Sequence, residues 1–203
     1  RAFPLRPANA SAAHGLSHAL FEQGEPETGR EFLSSWLKTH ERASFLHGHL
    51  CWHVALTAIE AGDPDTALAI YQRQIRPSGS PYPPLNVLTD TASLLWRLSL
   101  AGKKGLEPHW REVAAYGDRF FPQAGAHFGD VHYALAASAT NREALQTRLA
   151  QMEARAADGK LAPGSSAIGL CRGVQAFAEG DHDGAVRILE PLMPELVRIG
   201  GSH

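Results

Sequence analysis

The stretch HLCWHVALTAIEAGDPDTALAIYQRQI, residues 49–75, decides the fold because it holds two apolar periodic segments around a single turn signal. Apolar residues recur at helical spacing over 50–59 and again over 67–71. Between these segments, Gly62 is typical of a helix end, and the Asp-Pro pair after it is typical of a helix start. The stretch therefore predicts two helices joined by a tight turn.

The same turn signal recurs along the whole chain. It stands around five positions at intervals of 38, 40, 38 and 40 residues, namely Gly24, Gly62, Gly102, Thr140 and Gly180. Each signal follows one apolar periodic segment and precedes another, whereas no segment alternates apolar and polar residues over the length of a strand. We therefore expect an all-α chain built from a repeat of about 39 residues.

The repeat predicts about five degenerate helix pairs. They cover 10–23 with 27–40, 46–61 with 64–75, 85–101 with 108–119, 129–139 with 141–157, and 165–179 with 182–199. Stacked pairs bury their apolar faces against neighbouring pairs and curve into an α-α superhelix of tetratricopeptide type. We expect one helical-repeat domain over 1–203, a fragment of a longer array, with one long loop, RPSGSPYPP, at 76–84.

Composition favours a soluble, cytoplasmic protein. The chain has 203 residues, 44% of them hydrophobic, and a formal net charge of −2, so it lacks the basic excess that nucleic-acid binding needs. Its apolar runs are too short to span a bilayer, and we expect no membrane partner. Cys51 and Cys171 are too few for a disulfide framework, and we expect both to be buried thiols in a reducing compartment.

Histidines at helical spacing are the main candidates for a site. His14 and His18 form one i, i+4 pair and His49 and His53 form another, so each pair lies on one face of its helix. Further polar candidates also fall on the first helix of a predicted pair: Asp90, Arg97, Asp130, His132 and Arg172. In such a repeat the first helices line the concave face, so we expect these side chains to converge on one pocket.

Several segments together resemble the tetratricopeptide repeat protein 38 family over nearly the whole chain. The most specific is the HLCWHVALTAIEAGDPDTALAIYQRQIRPS stretch with His49, Trp52 and His53, followed by Asp130 and His132 in FGDVHYALA and by the final GGSH. The resemblance implies a helical-repeat fold and this residue pattern, but no settled activity. Because members of the family are longer, it also implies that this chain is the middle and late part of such a protein.

Three interpretations of the histidines remain open at this point. They can be structural imidazoles bonded to backbone carbonyls, ligands of a transition metal, or the donors and acceptors of a metal-free polar pocket in which Arg97 or Arg172 holds an anion. No Glu stands beside the first histidine of either pair, as it does in the familiar metalloprotease motif, and no general base is evident.

We predict a binding module with a histidine-lined pocket for a small polar or anionic ligand or a peptide segment. His203 belongs to the predicted ligand-binding set because the Gly-Gly-Ser before it can bend the chain back toward the groove. The alternative is a metal-dependent or His/Asp acid–base enzyme of hydrolase type, with Asp130 orienting His132 as the base. The Arg/Glu alternation over 142–155 predicts a solvated helical face.

Overall fold

The structure is a computed structural model that describes residues 2–162 and 164–200, and His203 lies outside them. Over these residues the chain is all-helical, with no strand. The α-helices are α1 (Ala2–Leu5), α2 (Ala10–Glu22), α3 (Pro26–Leu37), α4 (His47–Glu60), α5 (Pro64–Ile70), α6 (Pro84–Leu100), α7 (Glu107–Phe120), α8 (His127–Thr140), α9 (Arg142–Ala157), α10 (Ser165–Ala178) and α11 (His182–Leu189).

All ten predicted helices are present, but two change character before they end. The helix after Gly62 finishes as a π-helical turn, Tyr71–Ile75, in which the Arg76 amide donates to the Tyr71 carbonyl at 2.9 Å. The last predicted helix continues beyond α11 as a 3₁₀ helix, Glu190–Arg198, which contains two prolines. Proline lacks the amide proton that an α-helix needs, so the α-helical bonding does not continue through them.

Two further differences concern the beginning of the chain. The short helix α1 was not predicted, and α3 ends at Leu37, three residues before the predicted end. The shorter α3 leaves a connection of nine residues before α4, so the segment at 76–84 is not the only long loop.

Glycine ends the helices as the repeat predicts. Gly62 has φ of +77°, and the next amide, that of Asp63, donates to the Ala58 carbonyl at 2.9 Å. The Asp63 side chain then accepts a hydrogen bond from the Thr66 amide and caps α5. This sequence of a left-handed glycine and a capping side chain makes a tight helical hairpin.

The helices group into two compact units, Arg1–Lys104 and Gly105–His203. In the first unit α4 packs against α2, α3, α5 and α6. In the second unit α8 packs against α7, α9 and α10, and α11 packs on α10. The boundary falls between the helices of the third predicted pair.

Both cysteines are buried free thiols, as expected. Cys51 lies in the first unit and Cys171 in the second, and burial raises the pKa of each thiol to about 12. Among the described helices, none combines the length and the apolar character needed to cross a membrane.

Candidate functional site

The packing of α2 on α4 brings the two predicted histidine pairs together. Ala13 and Leu50 are fully buried in one core cluster with Leu33 of α3, and this cluster fixes how α2 and α4 pack. His14 follows Ala13 directly on α2, and His49 directly precedes Leu50 on α4. As a result, all four imidazoles, those of His14, His18, His49 and His53, lie half-buried on the same side of the first unit.

The Nε2 atom of His14 is the centre of this histidine cluster. It lies 2.9 Å from Nε2 of His18, 3.0 Å from Nε2 of His53 and 3.2 Å from Nε2 of His49. His14, His18 and His53 each offer a ring nitrogen within 4.8 Å of the other two. His49 stands outside this group of three.

Hydrogen bonds between the rings do not account for three neighbours around one nitrogen. A ring nitrogen of neutral imidazole has one site in the ring plane, which is either an N–H donor or a lone pair. His14 Nε2 can therefore satisfy one of its three neighbours and leaves two facing it unsatisfied. A cation that accepts the lone pairs of several nitrogens resolves this conflict.

The distances within the cluster also suit such a cation. An imidazole nitrogen lies about 2.0–2.1 Å from a bound zinc ion, so two nitrogens bound at angles between a right angle and the tetrahedral angle are about 2.9–3.4 Å apart. The distances from His14 Nε2 to Nε2 of His18 and Nε2 of His53 fall in this range.

The imidazole of His49 is held from two sides. Its Nδ1 lies 3.1 Å from both carboxylate oxygens of Asp90, which is 6% exposed. Its ring stacks on Trp52 at 5.3 Å between centroids and 12° between planes, and Trp52 donates to the Ser93 hydroxyl at 3.0 Å. The carboxylate accepts from an Nδ1–H donor, and in the neutral ring this leaves a lone pair on the Nε2 that faces His14.

Burial favours the uncharged form of three imidazoles of the cluster, those of His14, His18 and His53. It is the main cause that lowers the pKa of His53 to about 2 and that of His14 to about 4, and repulsion from the neighbouring histidines adds to both shifts. The pKa of His18 is lowered for the same reasons. Neutral imidazole is the form that binds metal ions, so these shifts favour coordination at neutral pH.

Arg97, the other candidate on α6, lies beside the cluster. Its guanidinium lies 5.7 Å from the centre of the Trp52 ring, and its Nη1 donates to the Ser93 carbonyl at 3.2 Å. The residue is exposed. It therefore adds positive charge at the solvent side of Trp52.

Asp130 and His132 lie in the second unit with partners of their own. Asp130, 2% exposed, accepts hydrogen bonds from Arg148 at 2.9 Å and from the Gly125 amide at 3.0 Å, one on each carboxylate oxygen. His132 Nδ1 lies 2.7 Å from the Phe128 carbonyl, one turn back along α8. Both carboxylate oxygens of Asp130 thus face Arg148 and Gly125, and the role of Asp130 in orienting His132 as a base stays a prediction.

Arg148 shows where the sequence pattern was misleading. It lies within 142–155, where charge alternation predicted a solvated face, yet it is 3% exposed. Its guanidinium also donates to the Phe121 carbonyl and lies 4.1 Å from the centre of the Tyr133 ring. The prediction was wrong at this residue because the buried carboxylate of Asp130 compensates its charge.

Arg172, the last candidate in the described residues, is exposed and pairs with Glu153 at 2.5 Å. Both line a surface cavity of about 410 Å³ between α9, α10 and α11. The neighbouring side chains Gln175 and Glu179 are hydrogen bonded to each other at 2.9 Å. Of the charged residues that line this cavity, Arg172 and Glu153 pair with each other, whereas Glu179 pairs with Arg142 outside the lining.

Sequence reasoning missed the pairing of His49 with Asp90, although the repeat period contains the signal. His49 and Asp90 are 41 residues apart, and His14 and His53 are 39 apart, both close to one repeat. Residues one period apart occupy equivalent positions on neighbouring first helices, so polar residues at that interval are candidates for contact.

Comparison with known proteins adds no assignment. No family model matches the chain, and no solved structure matches it.

Proposed function

We propose that the protein is a helical-repeat binding module whose first unit binds one transition-metal ion through His14, His18 and His53. The observation that carries this proposal is the position of His14 Nε2, with three other imidazole nitrogens 2.9–3.2 Å away. Histidine clusters of this kind bind metal in their neutral form, which the lowered pKa values of His14 and His53 favour.

We also propose that the helix pairs form a tetratricopeptide-type superhelix related to the tetratricopeptide repeat protein 38 family. Contacts one repeat period apart support this, including the pairing of His49 with Asp90 and of Trp52 with Ser93. Glycine-ended helical hairpins support it as well. On this proposal, the histidines lie on first helices because that face binds the ligand.

The chemistry of the ligands restricts the metal. Imidazole suits zinc, copper, iron, nickel and cobalt, whereas magnesium and calcium prefer oxygen ligands. The donors within the cluster are ring nitrogens, and the nearby carboxylate of Asp90 faces His49. We therefore expect a first-row transition ion, with zinc as the first to test.

The test is the metal content of protein purified without an affinity tag, measured by elemental mass spectrometry before and after chelation. We expect about one equivalent of a transition metal, and a lower melting temperature once it is removed, because an ion that binds the folded state stabilises it. His14→Ala removes the central nitrogen and should lose the metal. His182→Ala removes an exposed histidine of the second unit and serves as the matched control.

Two results would contradict the proposal. One is wild-type protein that binds no zinc even when zinc is supplied in excess, and whose melting temperature does not change on chelation. This result would favour a metal-free polar pocket. The other is His14→Ala protein that binds as much metal as His182→Ala.

A further inference from the structure

We infer that the metal centre keeps one coordination position for a small ligand from solution, and that His49, oriented by Asp90, accepts a hydrogen bond from that ligand. This rests on the proposed metal site. The ligand at the open position is water, which a small anion can replace. His49 is on this view a neighbour of the metal and not a fourth ligand.

The arrangement of the four imidazoles indicates three metal ligands and one open coordination position. Three of them form the group whose ring nitrogens lie within 4.8 Å of one another, and His49 approaches His14 alone at hydrogen-bond distance. Three histidine ligands with a fourth position for water are the arrangement of zinc sites that exchange ligands, whereas structural zinc sites fill all four positions from the protein. The half-buried rings leave the cluster reachable from solvent.

The contacts that hold the His49 ring in place suit it to accept a hydrogen bond from a ligand of the metal. The Asp90 carboxylate accepts a hydrogen bond from Nδ1–H of His49, and the parallel Trp52 ring restricts rotation of the imidazole. The Nε2 lone pair is therefore held in a fixed direction beside His14. A water molecule on the metal has O–H donors to offer, and a fixed lone pair at this place is suited to accept one.

The experiment uses the full chain loaded with cobalt(II), whose visible spectrum reports its coordination, and azide as the added anion. We expect azide to change the spectrum saturably while the cobalt content stays constant. His49→Ala and His53→Ala are a matched pair, because they remove the same side chain one turn apart on α4. Loss of an outer neighbour of a metal costs at most about 100-fold in affinity. We therefore expect His49→Ala to lower cobalt affinity by no more than this, and His53→Ala, which removes a ligand, to lower it further.

His49→Ala should also tighten azide binding by about fivefold, since the water that azide replaces loses a hydrogen-bond acceptor. Far-UV circular dichroism of each metal-free variant tests whether it is folded. If His49→Ala is not folded, His49→Gln takes its place.

The outcomes separate the two proposals. Wild-type protein that binds no cobalt contradicts the metal site itself. Two results overturn the open position and indicate a closed centre with four histidine ligands. One is cobalt binding without any spectral response to azide, and the other is a loss of cobalt affinity in His49→Ala as large as in His53→Ala. An unchanged azide affinity in His49→Ala overturns the role of His49 as an acceptor.

Discussion

His53 and His14 give the metal-free protein a predictable response to acid. Their pKa values in the folded state, about 2 and about 4, lie below the ordinary value of 6.5. As the pH falls below about 6.5, the unfolded chain takes up protons that the folded state does not, so the free energy of unfolding decreases toward pH 4. Urea unfolding of the chelated protein at pH 7.5 and pH 5.0 measures this.

The matched comparison for the acid response is His53→Gln beside His182→Ala. His53→Gln removes the most strongly shifted group and should weaken the pH dependence, whereas His182→Ala should leave it as in the wild type. A free energy of unfolding that is equal at both pH values, or higher at pH 5.0, would contradict the assignment of buried neutral imidazoles.

At single residues, the sequence predicts the histidine pairs well and their surroundings poorly. Helical spacing alone places His14 with His18 and His49 with His53. The buried pair of Asp130 with Arg148 could not be predicted, because a charged residue on a helix is usually solvated and the compensating partner is 18 residues away. Such a pair depends on three-dimensional packing that no local pattern records.

Helix α4 depends on a glycine for its contact with the loop that follows Ile75. A Cβ atom added at Gly48 would lie 2.4 Å from the ring of Tyr82, which is 7% exposed and donates to the Arg42 carbonyl at 3.2 Å. Gly48→Ala must therefore displace this ring or the start of α4. We expect a loss of about 1–3 kcal/mol in the free energy of unfolding, measured by urea denaturation.

Gly15 on α2 provides the control for this prediction. It also neighbours a histidine of the cluster, but an added Cβ would meet nothing within 4 Å. Gly15→Ala should therefore stabilise the protein by about 0.5–1 kcal/mol through its helix propensity. Equal effects at the two glycines would show that the Tyr82 contact is unimportant.

The helices were predictable because their boundaries are encoded locally. Glycines at 24, 62, 102 and 180 adopt positive φ at helix ends, and each was part of a recurring turn signal. The changes of helix type at Tyr71–Ile75 and Glu190–Arg198 were not predicted. Apolar periodicity does not distinguish an α-helix from a π or 3₁₀ continuation, since these differ by one residue in their hydrogen bonding.

The division into two units predicts which helices metal binding will protect from amide hydrogen exchange. Ligands from α2 and α4 all belong to Arg1–Lys104, so zinc should slow amide hydrogen exchange in these two helices. Exchange in α8 and α10 should remain unchanged. Mass spectrometry of peptides from chelated and zinc-loaded protein measures this, and His14→Ala should abolish the difference.

Protection that spreads equally over both units would contradict this prediction, because the ligands lie in one of them. Protection confined to α4 would indicate that α2 supplies no ligand.

The span between His14 and His53 has a consequence for the beginning of the chain. The two residues are 39 apart in sequence, and the whole of α3 lies between them. An ion bound to both would hold the two ends of this segment together in the folded state, so local unfolding of α2 or α3 would first require the ligand bonds to break. Bound metal would then make the α2–α3 hairpin more resistant to local unfolding, and a chelator would remove this effect whereas a reductant would not.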